Sequence, residues 1–150
     1  MKNFSRKPGP DYAASLTIAA PIETVYAALT TADGLRGWWT CRTDGSPEPG
    51  GEIRFEFTDY DIYKVMRVVA STRPTSVRWL CVDCKLTDWI GTTLDFELTA
   101  SGPATTELSF THKGLQPALE CFESCEAGWD YYLRSLASYA ETGTGQPYAD

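Results

Sequence analysis

The segment from about Pro117 to Ala140 constrains this chain most. Phe122, Cys125, Trp129, Tyr132, Leu133 and Leu136 recur along it at intervals of three and four residues. Glu120, Glu123, Asp130 and Arg134 mostly take the other side. That spacing predicts one long helix with an aromatic face, and such a face needs a broad apolar surface to lie on. The residues before it supply that surface. Ile53, Phe55 and Phe57 alternate with Arg54 and Glu56, Val77, Trp79 and Cys81 with Arg78 and Leu80, and Leu94, Phe96 and Leu98 with Asp95 and Glu97. Leu108, Phe110 and His112 share one face of a further strand, and Tyr63 to Val69 is a less regular one. Period-two alternation marks half-buried strands. The turn residues Arg73-Pro74-Thr75, Asp88 to Gly91 and Ser101-Gly102-Pro103 divide them into a meander. A long helix laid on one curved antiparallel sheet tends to enclose a cavity, so the pattern points to a binding pocket more directly than to a reaction.

Upstream, Tyr12 to Ile18 reads as a first strand. Pro21 then opens a helix carrying Ile22, Val25, Tyr26 and Leu29 at helical spacing, with Glu23 near the positive end of its dipole. A short second helix is expected from Ala32 to Trp38, and Asp44 to Gly51, rich in Gly and Pro, is expected to be loop. Gly50-Gly51 precedes a strand and not a helix, so it reads as a turn and not as a phosphate loop. The expected arrangement is one α+β domain over residues 1–150. Its core runs from about 12 to 140, between a flexible N-terminal arm and a polar, flexible C-terminal tail.

A chain of 150 residues buries roughly 70% of the surface its unfolded form exposes. Its net charge of −7, without a long block of either sign, argues against nucleic acid and against anionic membrane surfaces. No apolar run approaches the ~20 residues of a membrane span, and no apolar stretch follows the basic N-terminal residues as a signal peptide would require. Five cysteines, an odd number, do not suggest a disulfide framework. These features together imply a cytoplasmic protein, with a homodimer left open.

The residues expected to face inward are Phe55, Phe57, Trp79, Phe96, Phe110 and Trp129, joined by Tyr132 and Leu133 on the helix and by Trp38 and Trp39 where the short helices close the sheet. They either line a ligand cavity or fill a core. Adjacent helical residues diverge by ~100°, so one of Trp38 and Trp39 is expected inside and the other packed outward. His112, the only histidine, would suit a general acid or base at a pocket mouth. No carboxylate or nucleophile is visibly paired with it, so the preferred reading is an imidazole held at a strand end by one backbone hydrogen bond. Were there catalysis, Tyr63 or Asp83 would be its inward polar partners. Cys81 and Cys84, with Cys121 and Cys125, invite a four-thiolate zinc site. However, residues three apart on a strand point to opposite faces, and small thiols commonly fill core space. Neither metal nor other cofactor is expected.

An ordered set of residues carries a family resemblance. It runs from Ala20-Pro21 with Val25 and Leu29, through Trp38-Trp39, Gly50-Gly51 before Ile53, and Val77 with Trp79. It ends with His112 and Gly114, then Gly128-Trp129 with Leu133 and Leu136. In that order and spacing the chain resembles the Hsp90-ATPase-activator-homologue-like branch of the START/Bet v 1 superfamily, from Tyr12 to Ala140. The resemblance implies a helix-grip fold, a curved antiparallel sheet wrapped around a long C-terminal helix, with two short helices between the first two strands. It also implies a hydrophobic cavity between sheet and helix, and so favours a lined cavity over a filled core. Members bind lipids, hormones or polyketides, some catalyse cyclisation or hydration, and one branch stimulates a chaperone ATPase. The separate N-terminal domain of those co-chaperones has no counterpart here, nor has the Cys/His pattern of a Rieske centre. The expected function is therefore binding of a small hydrophobic or amphipathic ligand. The alternatives are a polyketide cyclase- or hydrolase-type enzyme using the same cavity, and a chaperone-linked or other interaction module.

Overall fold

A computed structural model describes residues 4–114 and 122–149. One eight-stranded antiparallel sheet forms its body. The strands are β1 (Phe4–Arg6), β2 (Tyr12–Ile18), β3 (Thr43–Gly45), β4 (Glu52–Phe57), β5 (Ile62–Thr72), β6 (Ser76–Cys84), β7 (Thr93–Gly102) and β8 (Thr105–Lys113). Their spatial order is β1-β2-β8-β7-β6-β5-β4-β3. The helices are α1 (Ile22–Thr30), α2 (Ala32–Trp38) and α3 (Phe122–Thr142). The expected start of α3 at Pro117, together with Glu120 and Cys121, lies outside the described residues.

Both short helices form where the sequence places them. Pro21 stands immediately before α1, and its carbonyl accepts from the amides of Thr24 and Val25. Thr31 caps α2, its Oγ1 accepting from the Gly34 amide at 3.0 Å and satisfying a donor the helix leaves orphaned. The alternation expected of β4, β7 and β8 is also present, with Ile53, Phe55, Phe57, Leu94, Phe96, Leu98, Leu108 and Phe110 all buried. These side chains form one concave apolar face, and α3 packs Trp129, Leu133 and Leu136 into the same core.

Several expectations change. Thr43–Gly45, at the edge of the expected loop, pairs with β4. At Gly45 the chain adopts a positive φ of 121°, and a Cβ there would stand 2.2 Å from the Glu52 carbonyl oxygen, so the close strand approach needs glycine. The ends expected to be flexible are packed. Phe4–Arg6 pairs with Ala14–Leu16 of β2, and Arg6 forms ion pairs with Glu126 and Asp130 of α3. Near the other end Tyr148 is buried and forms a parallel bridge with Thr40, its amide donating to the Trp39 carbonyl at 2.8 Å.

Strands β5 and β6 carry two register shifts. Met66 pairs with Cys81 while Val65 pairs with Asp83, leaving Val82 as an extra residue, and Val69 is skipped in the same way between Val68 and Ala70. Each shift is a β-bulge, which bends the strand and increases its twist. The first overturns the expectation that Cys81 and Cys84 face opposite sides. The inserted residue resets the alternation, and both cysteines are buried on the concave face.

Candidate functional site

The apolar space between sheet and α3 is only partly filled. A cavity of about 580 Å³ remains toward the β4–β5 end, within the usual ~300–1,000 Å³ of ligand sites. Trp39, Phe57, Ile62, Lys64, Leu86 and Trp89 line one side. Cys125, Ala127, Gly128, Trp129, Tyr131 and Tyr132 of α3 line the other, and Tyr60, Pro147 and Tyr148 stand around it.

The expected inward residues therefore divide. Trp39, Phe57, Trp129 and Tyr132 line the cavity, whereas Trp38, Phe55, Trp79, Phe96, Phe110, His112 and Leu133 do not. These belong to the packed core. Ring contacts run from Trp39 to Phe55 at 4.3 Å, from Trp79 to Phe96 at 5.1 Å and from Phe110 to Trp129 at 4.5 Å. Neither tryptophan of the pair faces outward. Trp38 donates its Nε1 hydrogen to the Ala28 carbonyl of α1, while Trp39 stacks on Trp79 at 6.2 Å. Three packed layers (α1, α2 and α3) meet at the pair, so both directions of the ~100° divergence lead into protein.

His112 is fully buried and held by side chains instead of a backbone group. Trp129 Nε1 is a donor only, so His112 Nδ1, 3.0 Å away, accepts from it. The other nitrogen, Nε2, then carries the proton and donates to Thr92 Oγ1 at 2.8 Å. Thr92 in turn donates to the Trp89 carbonyl at 2.6 Å. Burial, with the Lys64 charge adding to it, lowers the imidazole pKa to about 3, so the ring is neutral. The chain of bonds ties α3 to β8 and to the β6–β7 connection, and both nitrogens are engaged in it.

Tyr63 and Asp83 do not point inward either. They lie on the outer face of the sheet, where the Tyr63 hydroxyl donates to Asp83 at 3.1 Å and Arg54 covers the Tyr63 ring at 4.5 Å. That hydrogen bond is the leading cause of a raised Tyr63 pKa. The residue that turns inward is their neighbour Lys64, only 7% exposed. Its ammonium sits 4.1 Å from the Trp89 ring centroid and 5.3 Å from that of Phe57. Lys64 stands opposite Cys84 in the β5–β6 ladder. A hydrogen bond from Cys81, with the Lys64 charge assisting, lowers the Cys84 thiol, while the Cys81 thiol is raised by the same hydrogen bond and by burial. Cys125, on α3, accepts from Trp89 Nε1 at 3.2 Å. Among the described residues, no three His, Cys, Asp or Glu side chains gather as a metal site would require.

The gripped C-terminal helix, the paired short helices and the concave sheet define a helix-grip protein of the START/Bet v 1 superfamily. Within it, the chain belongs to the Activator of Hsp90 ATPase homolog 1-like protein family, whose model matches residues 19–141. Among solved structures, the Aha1 dimer from Colwellia psychrerythraea is 28% identical, with a TM-score of 0.77 over 89% of this chain and 97% of that one. An HSP90 activator from Plasmodium falciparum, PFC0360w, is 20% identical, with a TM-score of 0.66 over 85% and 94%. DynU16, from the dynemicin biosynthetic locus, is 21% identical, with a TM-score of 0.65 over 95% of this chain and 49% of its own. No curated protein sequence matches the chain. No helix among the described residues is long and apolar enough to cross a membrane.

Proposed function

We propose that this protein binds a small hydrophobic or amphipathic molecule, lipid- or polyketide-like, in the cavity between its sheet and α3, and does so in the cytoplasm. The observation that carries this reading is Gly128. It lies inside α3 and lines the cavity, and a Cβ built on it meets nothing within 4 Å. Glycine is costly in a helix interior, and here it keeps open a space walled by rigid aromatic rings. Binding without catalysis is the simpler reading, because Lys64 is the one charged residue lining the cavity among the described residues. Among the described residues, neither a carboxylate nor His112 faces the space to act as acid or base. Titration with the uncharged fluorophore N-phenylnaphthylamine tests the proposal. Saturable binding with fluorescence enhancement is expected, and an unsaturable, linear response would refute it.

Chaperone stimulation is the second reading, favoured by the activator relative and by exposed Tyr60, Ile90 and Tyr131 beside the site. It requires this chain to raise the ATPase rate of its host's Hsp90-type chaperone. A homodimer, as in the Colwellia relative, would show as twice the monomer mass in light scattering.

A further inference from the structure

Residues 143–148 form a strap that leaves α3 and returns to the cavity. Gly143 turns the chain out of the helix at a φ of 84°, its amide donating to the Tyr139 carbonyl at 2.8 Å, a geometry that glycine favours at a helix end. Polar bonds then guide the strap along α3. Ser138 Oγ donates to the Thr144 carbonyl and the Gln146 amide donates to Ser135 Oγ, each at 2.7 Å. Gly145 lies so close to the Gly37 carbonyl that a Cβ there would overlap its oxygen. Tyr148 is then received in a defined seat. Its amide donates to the Trp39 carbonyl at 2.8 Å, and its carbonyl accepts from the Cys41 amide at 2.9 Å. Its hydroxyl accepts from the Asp59 amide at 2.7 Å and shares a hydrogen bond with Thr58 Oγ1 at 3.2 Å.

Of residues 143–149, Tyr148 alone is buried. The strap therefore adds little apolar burial, the condition under which a segment opens by itself while the rest of the chain stays folded. Its one buried side chain is also a wall of the cavity. Tyr148 lines that space with Phe57 and Tyr60, whose rings it meets at 5.4 Å and 5.9 Å. A molecule in the cavity touches Tyr148 only while the strap is docked, so it binds the docked state better and shifts the chain toward it. We infer that residues 143–148 are an occupancy latch, held down by the bound molecule and released when the cavity is empty. This deepens the ligand-binding reading proposed above and rests on it. Coupling of this kind is reciprocal, so the factor by which the molecule favours docking is the factor by which docking tightens its binding. Release uncovers the Trp39 carbonyl and the Cys41 amide, and the loaded and empty protein present different surfaces.

Backbone hydrogen exchange followed by NMR on the full chain, with and without saturating N-phenylnaphthylamine, tests the latch. The Tyr148 and Cys41 amides, both bonded across the strap, should exchange at least about fivefold more slowly with the fluorophore bound, the low end of coupling between sites. The Lys7 amide, bonded to the Ala13 carbonyl at the far edge of the sheet, should not change. Gly145 does not line the cavity, so Gly145→Ala unseats the strap without altering the wall. Its Tyr148 amide should exchange faster than in the wild type, and its affinity for the fluorophore should fall at least about fivefold. No slowing at Tyr148, or equal slowing at Lys7, refutes the latch, while saturable binding leaves the cavity reading in place. A Gly145→Ala protein with a faster Tyr148 amide and unchanged affinity refutes it in the same way. If the fluorophore does not bind at all, both readings fall. The wild-type comparison decides the matter even if Gly145→Ala does not fold.

Discussion

Gly128 offers the sharpest test of whether the space under α3 is open. In a helix interior glycine is about 0.8–1.0 kcal/mol less favourable than alanine. A new Cβ at this position meets nothing within 4 Å, so Gly128→Ala has no steric cost to set against that gain. A methyl group shielded by the cavity walls adds at most about 0.8 kcal/mol more. The variant should therefore gain between about 1 and 2 kcal/mol, and about 1 kcal/mol corresponds to ~2–4 °C in Tm for a chain of this size. Gly128→Phe projects a ring into the same space. It should melt no lower than the wild type, yet weaken N-phenylnaphthylamine binding at least about tenfold, or about 1.4 kcal/mol. Thermal melts followed by circular dichroism, paired with fluorophore titrations, measure both quantities on the same samples. A lower Tm for Gly128→Ala would mean that the position is packed. Unchanged binding by a folded Gly128→Phe would mean that the fluorophore binds elsewhere.

Three further outcomes follow from the site. The His112 pKa is lower in the folded chain, about 3 against 6.5, so the unfolded state takes up its proton first as pH falls. The stability from the neutral ring is full above about 6.5 and is lost progressively toward 3, with about 1.4 kcal/mol gone by pH 5.5. His112→Gln should flatten that part of a stability-versus-pH curve measured by denaturant titration, and an unchanged slope would refute the assignment. Trp129→Phe leaves His112 Nδ1 without its donor, a loss of about 1–3 kcal/mol beyond the lost area, whereas Trp79 Nε1 has no acceptor among the described residues. Trp129→Phe should accordingly melt lower than Trp79→Phe, and the opposite order would contradict the hydrogen-bond chain. Tyr148 packs on Phe57 at 5.4 Å, and its hydroxyl accepts from the Asp59 amide at 2.7 Å. Tyr148→Ala should cost about 3 kcal/mol and speed release of the fluorophore in stopped-flow dilution, and a neutral result would show that the tail is not a wall of the site.

Most of the architecture was legible because it rests on long periodic segments. The alternation of β4, β7 and β8 and the bounds of α2 needed no tertiary information. Strands β1 and β3 were not legible, since three residues carry no period and only their partners hold them extended. Val82 hid the true facing of Cys84, because this bulge has no residue signature and a one-residue insertion inverts every side chain beyond it. The same limitation concealed Lys64. A lysine in a strand reads as outward, Tyr63 and Asp83 were expected inward, and the structure reverses that order, with Lys64 set against Phe57 and Trp89. Aromatic side chains marked the inner face correctly but could not show which part of it stays open. The available signal was the small pair Ala127-Gly128 within an otherwise bulky helix face.

All five tryptophans are buried in mutual contact. Trp38 and Trp39 lie 6° from parallel at 5.6 Å, Trp39 and Trp79 5° at 6.2 Å, and Trp89 and Trp129 21° at 6.0 Å, with Trp39 and Trp129 joined at 5.2 Å. Indoles this close share their excited states, so the set behaves as one chromophore drawn from α2, β6, α3 and the β6–β7 connection. Its exciton signal in circular dichroism reports whether helix and sheet are docked, without any added label. Energy transfer within the array also means that quenching at the cavity wall dims the whole set, Trp38 included. Trp39 is the node that three of the others touch, so Trp39→Phe should reduce the exciton couplet more than replacement of any other single indole.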